Sequence, residues 1–331
     1  MNACFITGAT GFIGERLTIR LAEDGYKVHA LVRDRKRAAH LSHPNIHLFQ
    51  GDILTPQTIE PAIRNCDFAF HLAAYARVWS KDRNLPYRVN VEGTTNVLSL
   101  ALKHGLKKVV FTSTGGTLEP SYGDRPVNEE TPRKTPFFNA YETTKAEAEA
   151  VVKQFAGKGL GVITVNPTRV YGPGLISESN AMTAIIKKFN EGKWRIIPGD
   201  GSKIGNYVLV DDVINGHVLA LEKGKPGERY IIGGENSTYN EFFGKLRIIT
   251  GKSHLLFHVP YAVMLTAASI QYSYSRLLSK DPLITPRWVR KYLHHWAVSS
   301  GKSIGELGYQ WTPLDVGLSK TVEWLNNNFA K

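Results

Sequence analysis

A glycine-rich turn at residues 5–14, FITGATGFIG, constrains the fold of this chain more than any other stretch. The apolar run at residues 3–6 predicts a buried strand before the turn, and residues 12–21 follow a helical pattern. Glycines in such a unit permit a tight turn and let a pyrophosphate approach backbone N–H groups at the helix N-terminus. The predicted phosphate-binding residues are Gly8, Thr10, Gly11, Phe12, Ile13 and Gly14. The alternative is an ordinary strand–helix turn, because glycine spacing alone is weak evidence.

Composition indicates an ordinary globular chain. Of 331 residues, 42% are apolar and 21% are charged, which is enough to build a sizeable core. No run approaches the roughly 18 consecutive apolar residues of a membrane-spanning helix, and we expect no signal peptide. Cys4 and Cys66 show no metal-binding spacing, so we predict no metal and a reducing cytoplasm.

The formal net charge of +12 raises the question of a nucleic-acid partner. The basic residues are scattered and no recognition motif accompanies them, so we predict no nucleic-acid binding. A basic surface would still attract phosphorylated cofactors or anionic membrane lipids.

The end of the second predicted strand, residues 28–32, bears on the cofactor. Dinucleotide-binding folds that use NAD place an acidic residue there for the adenosine ribose, whereas this chain continues with Arg33. Arginine can bind a 2′-phosphate with two hydrogen bonds, so we predict NADP(H), with Arg33 assisted by Lys36 or Arg37. The alternative is a solvated basic turn, since Asp34 lies among these cations.

Two further strands are predicted at residues 46–50 and 67–72. Asp52 follows the first of them and could contact the adenine or cap the next helix. Small residues after the second strand would let the chain pass close to a cofactor, whereas we expect His71 to be a packed strand residue. The predicted cofactor contacts in this region are Asp52, Ile53, Leu72, Ala73 and Ala74.

An aromatic loop follows at residues 75–79. Loops at the carboxyl ends of parallel strands face the ligand crevice, so Tyr75, Arg77 and Trp79 are candidate substrate contacts. Asn90 lies early in a helix that we expect to end near residue 104, where it either organises the catalytic lysine or caps the helix.

Tyr141 and Lys145 are the predicted catalytic pair. They are four residues apart on a predicted helix, so they share one face. A nearby ammonium would lower the pKa of the phenol and let it exchange a proton with a carbonyl or alcohol. Lys145 could also hold the nicotinamide ribose. The fifth strand, residues 107–111, ends in hydroxyl groups that point into the same crevice, and these are Thr112, Ser113 and Thr114.

Several motifs together resemble the extended short-chain dehydrogenase/reductases, the NAD-dependent epimerase/dehydratase group. These are TGATGFIG at 7–14, GD at 51–52, HLAA at 71–74, NVEGT at 90–94, FTST at 111–114, YETTK at 141–145 and PTRVYGP at 167–173. The resemblance implies that Thr114 is the active-site hydroxyl, that Pro167 and Val170 border the nicotinamide, that Tyr171 contacts substrate, and that the protein is a homodimer. With Arg33 after its second strand, the chain resembles the dihydroflavonol reductase-like and 3β-hydroxysteroid dehydrogenase-like branch more than the sugar epimerases that retain NAD.

The predicted fold class is α/β, with a doubly wound parallel Rossmann sheet and a smaller, mostly helical substrate region. Residues 1–175 with about 206–234 would bind NADP, and about 176–205 with 235–331 would bind substrate. We expect Asp211 or Asp212 to cap a helix rather than bind metal. The apolar stretch at residues 258–280 is compatible with a pocket lining, an oligomer interface or a membrane surface.

The function implied is an NADP(H)-dependent oxidoreductase that interconverts a carbonyl and an alcohol on a fairly hydrophobic small molecule. The alternatives are an NAD-dependent nucleotide-sugar epimerase or dehydratase, which uses the same side chains, and a non-catalytic NADP-binding sensor or scaffold. The intact Thr114, Tyr141 and Lys145 set is evidence against the last.

Overall fold

The structure is a computed structural model, and it describes residues 2–77, 79–176, 180–277, 282 and 284–329. The strands are β1 Ala3–Thr7, β2 Lys27–Val32, β3 Ile46–Gln50, β4 Phe68–His71, β5 Lys108–Thr112, β6 Val162–Pro167, β7 Arg169–Tyr171, β8 Ile196–Pro198, β9 Ile204–Leu209, β10 Arg229–Ile232, β11 Glu235–Thr238 and β12 Phe257–Val259. The helices are α1 Phe12–Glu23, α2 Pro56–Ile63, α3 Leu85–Tyr87, α4 Gly93–Lys103, α5 Ala140–Gly157, α6 Ala181–Asn190, α7 Val210–Lys223, α8 Tyr239–Thr250, α9 Tyr261–Leu277, α10 Pro286–Lys291 and α11 Leu314–Phe329.

A seven-stranded parallel sheet forms the centre of the molecule, in the order β10-β6-β5-β4-β1-β2-β3. The strand order reverses between β1 and β4, since β1 leads to β2 on one side and β4 pairs with it on the other. In open α/β sheets the ligand crevice lies at the carboxyl ends of the strands at this reversal. The α/β Rossmann prediction is confirmed.

Alternating side chains of the buried strands build two cores, one on each face of the sheet. Cys4 and Ile6 of β1 pack in the core beneath α1 and α7, whereas Phe5 packs in the core beneath α2, α4 and α5. Both faces are therefore covered by helices, as a parallel sheet requires.

The smaller region contains two short sheets, with the orders β11-β9-β7 and β12-β8, and a third core built around α6, α8 and α11. A capping box of Thr238 and Glu241 starts α8. Helix α9 corresponds to the apolar stretch at residues 258–280, of which 278–280 lie outside the described residues. Val263, Ile270 and Tyr274 of this helix are exposed. Within the described part of the chain, no helix combines the length and apolar character needed to cross a bilayer.

The expected cap of α7 is wrong. The helix begins at Val210 and no side chain caps it. Asp211 pairs instead with Arg16 of α1, and Asp212 accepts hydrogen bonds of 2.8 and 2.9 Å from the backbone N–H and the hydroxyl of Thr312. Both carboxylates therefore hold distant segments together.

Candidate active site

A cleft of about 920 Å³ opens at the carboxyl ends of the central strands and continues into the smaller region. Most of the predicted site residues line it: Gly8, Thr10, Gly11, Phe12, Ile13, Gly14, Arg33, Asp52, Ile53, Leu72, Ala73, Ala74, Tyr75, Arg77, Thr112, Ser113, Thr114, Tyr141, Pro167 and Val170. Five predicted residues are not part of its lining, namely Lys36, Arg37, Trp79, Lys145 and Tyr171.

The glycine turn forms one end of the cleft with the geometry that a pyrophosphate needs. Gly8 has φ +74°, and the Gly11 N–H donates to the Gly8 carbonyl at 2.9 Å. A Cβ on Gly14 would lie 2.1 Å from the Gly8 oxygen, so only glycine lets α1 approach β1 this closely. No side chain caps α1 at Gly11, which leaves the first N–H groups of the helix available to an anion. These residues fit a dinucleotide.

The basic turn after β2 contains several cations, of which Arg33 alone lines the cleft. Arg33 lines the cleft, and among the described residues its guanidinium has no hydrogen bond or ion pair. Asp34 accepts from the backbone N–H of Lys36 at 2.9 Å and lies 3.7 Å from the Nε of Arg37. The Asp34 carboxylate therefore interacts with Lys36 and Arg37 rather than with Arg33.

The floor of the cleft is organised by a buried histidine. His71 is 1% exposed, and its two ring nitrogens lie 2.7 Å from the Thr7 hydroxyl and 2.9 Å from the Thr94 hydroxyl. Burial lowers the pKa of His71 to about 3, so the ring is neutral at physiological pH. The Thr7 hydroxyl in turn accepts from the backbone N–H of Ala73 at 3.1 Å, which fixes the small-residue segment beside the glycines. The prediction that His71 is a packed residue is confirmed.

The contacts of Asp52 are local. The Oδ1 of Asp52 accepts from the Leu54 N–H at 2.9 Å, and Thr55, rather than Asp52, occupies the N-cap position of α2. Asp52 lines the cleft, so its carboxylate lies at the edge of the site without capping the helix.

Tyr141 and Thr114 meet in the middle of the cleft. Asn139 caps α5 by accepting from the Glu142 N–H at 2.9 Å, which sets the first turn of the helix and hence the phenol. Burial raises the pKa of Tyr141 to about 12, while hydrogen bonding to the Thr114 hydroxyl acts in the opposite direction. At neutral pH the phenol is therefore protonated.

Lys145 lies behind this pair and differs from expectation in its partner. It is 1% exposed, its Nζ donates to the Thr112 carbonyl at 2.7 Å and it sits 4.0 Å from the centre of the Phe111 ring. Burial lowers the pKa of Lys145 to about 7, against the opposing charge of Glu149. The Lys145 Nζ is thus held by the end of β5 and makes no hydrogen bond to the Tyr141 hydroxyl in the described part of the chain.

The first of two π-helical turns in the described residues, Arg88–Glu92, places Asn90 between the aromatic loop and α5. Such turns are rare and occur mostly as local bulges at functional sites. The Asn90 amide donates to the Thr144 hydroxyl at 2.9 Å and its oxygen accepts from the Tyr75 N–H at 2.7 Å. Asn90 thus joins the loop to the residue preceding Lys145, as the organising role predicts.

Two predicted substrate contacts lie elsewhere. The Trp79 carbonyl accepts from the Tyr75 hydroxyl at 3.0 Å, and Trp79 is not part of the cleft lining. Tyr171 is 0% exposed in the third core, where a Cβ on Gly317 would lie 2.2 Å from its hydroxyl. A residue enclosed in this way cannot contact substrate, so the expectation for Tyr171 is corrected.

The far end of the cleft consists mainly of residues that the sequence did not suggest. These are Glu142, Arg169, Leu175, Met182, Ile185, Tyr239, Phe242, Phe243, Trp288, Lys291 and Tyr292. One local sequence pattern could have pointed to two of these residues. Thr285 and the proline after it are typical of a helix start, and Trp288 and Lys291 are three residues apart on that helix, α10, so they share one face.

Other titratable groups serve packing. His294 lies 5.1 Å from the Phe138 ring centre, and His295 accepts from the Ile204 N–H at 3.3 Å. No cluster of three or more metal-binding side chains occurs within the ranges that the structure describes.

A buried histidine near the site predicts acid sensitivity. The ring nitrogens of His217 bond the Thr112 hydroxyl at 2.8 Å and the Val213 carbonyl at 2.7 Å, and burial lowers its pKa to about 4. Since the unfolded chain takes up this proton near pH 6.5, folding stability falls as the pH decreases from about 6.5 toward 4. Urea unfolding at pH 7 and 4.5 should show that His217→Gln loses about 2 kcal/mol less than wild type over this interval.

The control for this experiment is His47→Gln, because His47 is exposed on β3. It should follow the wild-type pH dependence. Parallel curves for wild type and His217→Gln would contradict the assignment.

The parallel sheet, the glycine turn and the helix bearing Tyr141 and Lys145 together define an extended short-chain dehydrogenase/reductase. Residues 4–233 match the NAD dependent epimerase/dehydratase family, and the chain belongs to that family.

Individual relatives agree with this assignment. The chain is 31% identical to a "Putative dihydroflavonol 4-reductase" of Synechocystis sp., over 98% of this chain and 94% of that protein. It is 28% identical to a 2-alkyl-3-oxoalkanoate reductase of Shewanella oneidensis, over 93% and 82%. The crystal structure of a Thermotoga maritima UDP-glucose 4-epimerase superposes with a TM-score of 0.81 at 26% identity, covering 98% of this chain and 99% of that one.

Proposed function

We propose that this protein is an NADP(H)-dependent reductase or dehydrogenase that interconverts a carbonyl and an alcohol on a fairly hydrophobic small molecule. The observation that carries the proposal is the position of Tyr141 and Thr114, which line one cleft between the glycine turn and an apolar far end. The reductase names of the two sequence relatives support it. In this proposal residues 1–175 with about 206–234 hold the cofactor, and the remaining residues hold the substrate.

The side chains have distinct roles in the proposed reaction. When bound, the nicotinamide would supply the hydride to the carbonyl carbon. Thr114 would orient the carbonyl oxygen by donating a hydrogen bond, and Tyr141 would donate the proton that forms the alcohol. Because burial raises the pKa of Tyr141 to about 12, the phenol carries at neutral pH the proton that reduction requires. Lys145, held by the Thr112 carbonyl, would contribute positive charge behind the phenol.

The far end of the cleft supports a substrate with an apolar body. Its apolar side chains are Leu175, Met182, Ile185, Phe242, Phe243 and Trp288. An apolar lining with a few polar groups is the usual composition of a small-molecule site.

The proposed preference for NADPH over NADH depends on Arg33. Its guanidinium lines the cleft without an acidic partner among the described residues, and a 2′-phosphate would supply one. We expect wild type to bind NADPH at least ten-fold more tightly than NADH, which corresponds to about 1.4 kcal/mol. Arg33→Ala should remove most of this difference by weakening NADPH binding alone. The measurement is titration of nucleotide-free protein, followed by nicotinamide fluorescence.

Arg64→Ala removes an exposed arginine that does not line the cleft and is the matched control, which should keep the preference. Equal affinities of wild type for the two nucleotides would contradict the role of Arg33. Nucleotide sugars would then be tested as substrates before ketones and aldehydes.

A further inference from the structure

The far end of the cleft contains two cationic side chains, Arg169 of β7 and Lys291 of α10. An apolar substrate alone would give no reason to keep charged groups there, because a charge removed from water costs free energy unless it is paired. The partners of each cation therefore indicate what the site is built to bind.

Lys291 is already neutralised. Its Nζ lies 2.7 Å from the Oε1 of Glu142, which is 1% exposed. The other carboxylate oxygen of Glu142 accepts from the Phe138 N–H at 3.0 Å. Glu142, Lys291 and Tyr141 line the same cleft, so the ion pair shares the site with the proposed proton donor.

Arg169 has no such partner. Its Nη1 donates to the hydroxyl of Tyr239 at 2.9 Å and of Tyr207 at 3.4 Å, and its Cζ lies 5.2 and 5.5 Å from those ring centres. No carboxylate of the described residues forms an ion pair with it. Arginine stays protonated in proteins, so a formal positive charge remains at the cleft wall.

The fold makes specific room for this guanidinium. Gly205 of β9 lies beside it, and a Cβ there would lie 2.5 Å from the Nη1 and 2.8 Å from the Cζ of Arg169. Strands β7 and β9 are paired, with Arg169 opposite Tyr207. The space left by the glycine and the contacts with the rings of Tyr207 and Tyr239 hold the side chain in one place. A preorganised arginine of this kind suits a planar or tetrahedral oxyanion.

Both cations line the same cleft, and each affects the other electrostatically. Burial is the largest cause that lowers the pKa of Lys291, and the positive charges of Arg169 and Arg133 add to it, while Glu142 opposes them. Arg133 donates instead to backbone carbonyls, among them that of Gly116 at 3.1 Å, and does not line the cleft. The charge that is left over at the far end of the cleft is therefore that of Arg169.

We propose that Arg169, with the Lys291–Glu142 pair beside it, is an anion subsite, and that the substrate bears a carboxylate or phosphate group on its apolar body. This inference rests on the proposed function in one respect, since it assumes that the molecule recognised here is the carbonyl substrate. The inference goes beyond the proposed function by specifying that the substrate is negatively charged, which the catalytic groups alone do not determine.

The test uses eight-carbon probes that differ only in the terminal group: octanoate, octyl phosphate and 1-octanol. Each is titrated by calorimetry into full-length protein saturated with NADP⁺. We expect wild type to bind at least one of the two anions ten-fold or more tightly than the alcohol. Arg169→Leu should remove this difference, and the tighter of the two anions identifies carboxylate or phosphate as the group recognised.

Two further variants keep the test decisive if Arg169→Leu does not fold. Gly205→Ala keeps the charge but displaces the guanidinium, so it should also lose the preference for anions. Arg169→Lys should retain part of it. Lys103→Gln removes an exposed cation of α4 that pairs with Glu60, and should behave as wild type.

The inference is overturned if 1-octanol binds wild type as tightly as both anions, or if folded Arg169→Leu and Gly205→Ala keep the preference. Because binding is measured without turnover, a failure of the proposed reductase activity is distinguishable from a failure of the subsite. An enzyme that reduces neutral ketones but shows no preference for anions would retain the first proposal and lose the second.

Discussion

Tyr141→Phe should lose about 10²- to 10⁴-fold in kcat while its affinity for NADPH stays within about two-fold of wild type. The substitution removes one hydroxyl and keeps the ring that packs at the start of α5. In the proposed reaction this hydroxyl is the proton donor, and the buried phenol holds its proton at neutral pH. The loss should therefore be in the chemical step rather than in cofactor binding.

The measurement is steady-state oxidation of NADPH with the best substrate from a panel of ketones and aldehydes, together with nucleotide titration. Tyr122→Phe is the matched control, because it makes the same chemical change at a residue that is 91% exposed. Its kcat should equal that of wild type. Turnover by Tyr141→Phe within ten-fold of wild type would exclude Tyr141 as the proton donor.

The parts of the site that the sequence predicted are those built from local chain geometry. The glycine turn follows a buried strand and opens a helix within a dozen residues, and the phenol and Lys145 share a helix face through their four-residue spacing. Arg33 immediately follows β2, so its place at the strand end required no knowledge of the tertiary fold. Such features are encoded by neighbours in sequence.

The parts that it did not predict depend on contacts between distant segments. Lys291 meets Glu142 across 149 residues, and Arg169 has its place because β7 pairs with β9 and Gly205 leaves a gap. For Asp211 and Asp212 the local pattern favoured a helix cap, but pairing with Arg16 and with Thr312 satisfied both carboxylates instead. Local propensity is a weak guide where a long-range partner is available.

The same contrast explains Tyr171 and the electrostatics of Lys145. Tyr171 belongs to a motif that the sequence placed beside the cofactor, yet alternation along β7 turns its side chain into the third core. Helical spacing places Lys145 beside Tyr141 on α5. The ammonium nevertheless donates to the carbonyl of Thr112, which lies at the end of β5. Sequence spacing gives the face that a side chain occupies and leaves open which neighbour it bonds.

Gly14→Ala should strongly destabilise the packing of α1 against the glycine turn. The new Cβ would lie 2.1 Å from the Gly8 oxygen and 2.8 Å from the Gly8 carbonyl carbon. Both are backbone atoms of the turn, so relief requires α1 to move away from β1. Overpacking of this kind costs about 1–3 kcal/mol or more. Because the same movement displaces the N–H groups at the helix start, we also expect NADPH affinity to fall by more than ten-fold.

Gly244→Ala is the matched control, because it makes the same substitution inside α8 where no atom lies within 4 Å of the new Cβ. Alanine is favoured over glycine in a helix interior, so this variant should gain about 0.5–1 kcal/mol and bind NADPH as wild type does. Urea unfolding and nucleotide titration of both variants measure the contrast. The prediction is contradicted if Gly14→Ala is as stable as wild type and keeps its NADPH affinity. The phosphate site would then not depend on the close approach of α1 to the Gly8 carbonyl.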